Sequence, residues 1–153
     1  MDFNLEKFLK RYVWDDDKTP YFTPSSKLNK RQAGYESLAY SVFMGTLFTA
    51  VGLISVTGAG GQERAVGPAV YSFSMICAAI IFGFTRQYLS ALWLSTAPVA
   101  AIAYFIIYGF KPKWAGIDQV VVLAFVAVWI LYSIRVVAIG KRYEDMPDAP
   151  PKQ

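Results

Sequence analysis

The stretch QVVVLAFVAVWILYSIRVVAIG, residues 119–140, decides the fold class. Apart from Gln119, Ser133 and Arg135 its side chains are aliphatic, aromatic or absent. Its length is what a helix needs to cross a hydrocarbon core of about 30 Å, roughly 20 residues. Three more stretches of this kind lie ahead of it, at 37–56, 67–84 and 90–110. None alternates strictly, each is too long for a barrel strand, and a helix satisfies its own backbone hydrogen bonds in lipid. The expectation is an all-α membrane protein: a four-transmembrane-helix bundle with short loops and an N-terminal amphipathic interfacial helix. Connections at 57–66, 85–89 and 111–118 leave no room for a folded domain, so consecutive helices pack as antiparallel neighbours.

Composition agrees. Of 153 residues, 55% are hydrophobic and 17% charged, and the mean hydropathy of +0.34 exceeds that of a usual soluble globule. The chain divides into an arm (1–35), the four-helix domain (36–140) and a tail (141–153). All but three of the 15 Lys and Arg residues fall on the side of the two termini, with Arg64, Lys111 and Lys113 opposite. The positive-inside rule then makes both termini cytoplasmic, and the expected setting is the bacterial inner membrane. The first 35 residues hold Asp15, Asp16 and Asp17 and no apolar run, so no cleavable signal is expected. Tyr35, Tyr40, Tyr88, Trp93 and Tyr143 on the inner side, and Tyr71, Tyr108 and Trp114 on the outer, are expected as interfacial belts.

The absence of histidine and the presence of one cysteine, Cys77, remove His-ligated haem, HExxH zinc sites, Ser-His and Cys-His nucleophiles and disulfide frameworks. No catalytic residue, cofactor or metal site is expected, and Cys77 reads as a small hydrophobe. The Asp15–Asp17 run lacks the loop of a cation site and reads as a solvated turn. The sequence pI near 9.2 follows from topology, so nucleic acid is not a partner. The glycines of residues 57–61 lack the Lys-Ser/Thr ending of a phosphate loop.

In the arm, Phe3, Phe8 and Tyr12 with Leu5, Leu9 and Val13 give an apolar side to a helix of about ten residues, too short to stand alone in water. It lies on the membrane interface or docks on a partner. Phe3, Phe8, Tyr12, Trp14, Tyr21 and Phe22 are the candidate docking residues, aromatics mixed with both signs of charge. Ser25 or Ser26 is expected to cap a helix running through Lys27, Lys30 and Arg31 into the first span, placing the three cations on one face. Lys27, Lys30, Arg31, Arg86, Arg135, Lys141 and Arg142 are candidate anionic-lipid contacts, topology determinants being the bland alternative.

Arg135 is the one ionisable residue well inside an expected span. It lies about 8 Å by helix rise from Gly140, close enough to snorkel to the headgroups; an ion pair or lipid phosphate is the alternative. Glu36 falls at a span edge. Pro98 is expected to kink the third span by clashing with the Leu94 carbonyl, Ser95 or Thr96 re-satisfying freed groups. Small residues four apart, Ser41 and Gly45, Ser74 and Ala78, Ala79 and Gly83, Ala97 and Ala101, permit close helix approach.

These features lead to a non-catalytic accessory or structural subunit of a larger integral-membrane complex, bioenergetic or transport. Its partners are other membrane subunits and lipids, and a homo-oligomer is an option. The rival is a small oligomeric transporter or channel, with Pro98 as hinge and Arg86 or Arg135 facing an anion or lipid headgroup.

Overall fold

A computed structural model describes residues 23–59, 64–108 and 116–148. Its helices are α1 (Lys30–Thr57), α2 (Val66–Thr85), α3 (Tyr88–Leu94), α4 (Thr96–Tyr108) and α5 (Gly116–Arg142), preceded by a 3₁₀ turn at Ser25–Lys27. Four segments are long and apolar enough to cross a membrane: α1, α2, the pair α3–α4 over Tyr88–Ile107, and α5. This is the expected all-α four-helix architecture of a multi-pass membrane protein. The candidate docking residues Phe3, Phe8, Tyr12, Trp14, Tyr21 and Phe22, with the proposed amphipathic helix, lie outside the described residues.

The first helix starts where its cap is strongest. Asn29 Oδ1 accepts from the Gln32 amide at 2.9 Å, and the Asn29 amide donates to Gln32 Oε1 at 3.2 Å, a reciprocal capping box. Leu28 is extended and buried, which separates Ser25–Lys27 from α1. Lys27 therefore lies outside the helix, and the expected single helical face of Lys27, Lys30 and Arg31 does not form. The far end stops at Gly58, whose φ of 71° is a conformation glycine adopts without steric cost.

Pro98 interrupts the third span as expected, although the break falls one turn earlier, at Ser95. A proline acts on the carbonyl four residues back, here Leu94, by withholding a donor and crowding it with its ring. The hydroxyls beside the break bond the carbonyls of the preceding turn, Ser95 Oγ donating to Leu92 and Thr96 Oγ1 to Trp93, each at 2.7 Å.

The most extensive helix contact is α1 with α2, while α3 packs on α2 and α5. Small residues set these distances, because apolar lipid gives helices no hydrophobic reason to associate and close packing must supply one. A Cβ on Gly83 would stand 3.1 Å from Ser41 Cβ, and one on Gly140 would stand 3.1 Å from Ala91 Cβ. Between the helices Met44, Met75, Phe82 and Leu94 are completely buried and form the centre of one core. A second cluster, Leu28, Ala33, Ile139 and Met146, closes the terminal end of the bundle. There the Lys30 amide donates to the Pro147 carbonyl at 3.0 Å, so both ends of the described chain meet.

Candidate functional site at the terminal end of the bundle

Glu36 sits on the second turn of α1 and Arg135 about 10 Å by helix rise from the end of α5. Because α1 enters the bundle at the end where α5 leaves it, the two residues reach the same level. Arg135 Nε donates to Glu36 Oε1 at 2.5 Å and Nη2 to Oε2 at 3.0 Å, the two-pronged arrangement that a planar guanidinium makes with a carboxylate. Its remaining nitrogen, Nη1, donates to the Thr23 carbonyl at 2.6 Å. The Glu36 side chain is fully buried and that of Arg135 is 17% exposed. Arg135 therefore binds a partner within the chain, the alternative weighed above, instead of snorkelling outward. Glu36 lies inside the helix that carries the first span, because α1 begins at Lys30 and not near 37.

The same α1–α5 seam continues one turn deeper. Tyr40 Oη and Ser133 Oγ share a hydrogen bond of 3.0 Å, and Trp129 Nε1 donates to Tyr40 Oη at 3.4 Å. Tyr40 was expected in an interfacial belt; it is buried because this pairing turns its hydroxyl inward. Tyr71 is half-buried; its hydroxyl bonds Thr96 Oγ1 at 2.8 Å, and its ring meets Phe48 edge-on. Trp93 reaches Ser74 Oγ at 3.3 Å. Spacing along the sequence shows none of these seams, since each joins residues distant in the chain.

The other cations separate into groups. Lys30 Nζ lies 3.3 Å from Asp148, and Lys27, Lys141 and Arg142 are exposed. Arg31 stands over the Tyr35 ring at 6.0 Å. Arg86 ends α2 with a left-handed φ of 54°, unusual for a side chain with a Cβ. Its guanidinium reaches the Tyr143 ring at 5.9 Å and passes 3.7 Å from where a Gly34 Cβ would stand. Nη1 donates to the Phe84 carbonyl. Of the seven candidate anionic-lipid contacts, Arg135 thus has its donors turned into the bundle. Among the described residues no cluster of His, Cys, Asp and Glu could hold a metal ion.

Set against protein-family models, curated proteins and solved structures, this chain matches none. Its reading rests on the geometry alone. That geometry neutralises a buried charge, joins α1 to α5 and fixes the chain at Thr23, where the arm enters the bundle.

Proposed function

We propose that this chain is a non-catalytic accessory or structural subunit of a larger integral-membrane complex, bioenergetic or transport, with both termini cytoplasmic in a bacterial inner membrane. The observation that supports the reading is how the polar groups of the spans are used. Glu36 and Arg135 satisfy each other, the Tyr40 and Tyr71 hydroxyls bond within the bundle, and the centre is filled by Met44, Met75, Phe82 and Leu94. An interior of this kind suits holding a shape better than passing a polar substrate. The rival transporter reading has Pro98 as hinge and Arg86 or Arg135 facing an anion; Arg135 faces Glu36, which leaves that role to Arg86 alone.

Contacts with other subunits then fall to the aromatic arm and to the outward row of α5, where Ile117, Val121, Val128 and Leu131 are exposed at the three- and four-residue spacing of one helix face. Thr23 is the anchor of the arm, held by Arg135. Deletion of residues 2–22 tests the arm's part. The truncated chain is expected to insert normally and to lose its partner chains on mild-detergent purification. Retention of the same partners by the truncated chain would mean that the arm rests on lipid.

A further inference from the structure

Between α1 and α2 an open groove of about 650 Å³ faces outward from the bundle, with Ser41, Gly45, Thr49, Ala79 and Gly83 among its lining residues. On α1 it extends from Leu38 to Leu53, about 22 Å of helix rise, against a single leaflet of about 15 Å. Gly45 leaves it open, since a Cβ there would meet nothing within 4 Å. Two arginines lie beyond its lining residues toward the terminal end. Arg31 is seven residues before Leu38, so it lies on the same face of α1 as the groove, with Tyr35 between. Arg86 follows Phe84, itself a lining residue, and its guanidinium rests over Gly34, one turn along α1 from Arg31.

Neither arginine has a carboxylate within salt-bridge distance among the described residues, in contrast to Lys30 and Arg135. Arg86 Nε is buried without a hydrogen-bond partner. Ser41, 6% exposed, lines the groove with a hydroxyl that is likewise unpartnered. It lies about 10 Å deeper than Gly34 by helix rise.

We propose that this groove binds one anionic glycerophospholipid of the leaflet on the side of the chain termini. Its phosphate lies between Arg31 and Arg86 and an acyl chain runs along the Ser41–Gly45–Thr49 floor. Charge complementarity selects this occupant: the groove is apolar along its length and cationic only at its interfacial mouth, the distribution of charge in such a lipid reversed in sign. Guanidinium N–H groups of Arg31 and Arg86 supply charge-assisted donors that phosphate oxygens accept, and the apolar length of the groove takes the acyl chain. The site is independent of the subunit reading, because it needs lipid and no partner protein.

The test is native mass spectrometry of the delipidated full chain in detergent, titrated with phosphatidylglycerol and, separately, with phosphatidylcholine bearing the same acyl chains. The expected result is preferential retention of one phosphatidylglycerol, weakened about fivefold by either Arg31→Gln or Arg86→Gln. Gly45→Leu fills open space without displacing a neighbour, so the chain still folds; it is expected to reduce retention of both lipids. Equal retention of the two lipids, or unchanged phosphatidylglycerol binding in Gly45→Leu, would overturn the proposal. So would displacement of the lipid by millimolar inorganic phosphate, which would leave a headgroup site without a chain groove. A homodimer lost in Gly45→Leu while lipid binding persists would assign the groove to a second copy and defeat the proposal equally.

Discussion

At the scale of single residues, the pairing of Glu36 with Arg135 places two charges in the protein interior, one fully buried and one largely so, where each alone is penalised. Removing one partner leaves the other uncompensated, at a typical cost of about 3–5 kcal/mol, whereas replacing both with apolar residues is often close to neutral. Glu36→Gln and Arg135→Leu are each expected to lower stability by about 3 kcal/mol, and the double replacement Glu36→Leu/Arg135→Leu to recover most of it. Unfolding in mixed micelles measures all three. Single variants costing under about 0.5 kcal/mol, the level of a solvated surface pair, would contradict the ion pair and return Arg135 to the headgroups. Half of this pair was legible from sequence: Arg135 stands out in QVVVLAFVAVWILYSIRVVAIG as the single charge. Glu36 did not, because hydropathy starts the span at 37, whereas the Asn29–Gln32 capping box starts the helix two turns sooner. Hydropathy measures lipid contact and is silent on where a helix begins.

At the scale of elements, four spans could be read from runs of apolar residues because bilayer thickness fixes their length. The break in the third followed from Pro98. Contact between helices was less legible. Of the small-residue pairs, Ser41 and Gly83 do meet, yet they belong to different pairs in sequence, and Gly45, the partner spacing assigned to Ser41, faces open space. Spacing of four says which residues share a face; only the bundle says what that face meets. At Gly140 α5 comes close to α3: a Cβ there would stand 3.1 Å from Ala91 Cβ and 3.4 Å from the Tyr88 backbone. Gly140→Leu is therefore expected to push α5 outward and cost about 1–3 kcal/mol, the usual penalty of overpacking. Gly45→Leu, where a side chain enters open space, is expected to stay within about 0.5 kcal/mol of the native chain. Equal losses for the two in the same mixed-micelle titration would show that Gly140 is not a contact point.

At the scale of the whole molecule, the terminal end carries most of the specific chemistry. The Thr23 carbonyl, Glu36, Arg135, Lys30 and Asp148 bring both ends of the described chain to one place, and the proposed lipid site draws on Arg31 and Arg86 at that same end. The rest is a packed core surrounded by apolar side chains such as Val66, Phe73, Phe84, Ile106 and Ile117, as lipid or neighbouring helices require. Twelve cations on the termini's side of the sequence fit the proposed cytoplasmic orientation. A bundle in which Glu36, Arg135, Tyr40 and Tyr71 bond within the chain, an arm held at Thr23 by Arg135 and an exposed apolar row on α5 suit a subunit that contributes contacts. The most direct test is the mass of the full-length chain purified natively in mild detergent from its own membranes. The account predicts a defined hetero-assembly, with unlike chains at fixed stoichiometry. A monomer or homo-oligomer alone, under conditions that keep other membrane complexes intact, would contradict it.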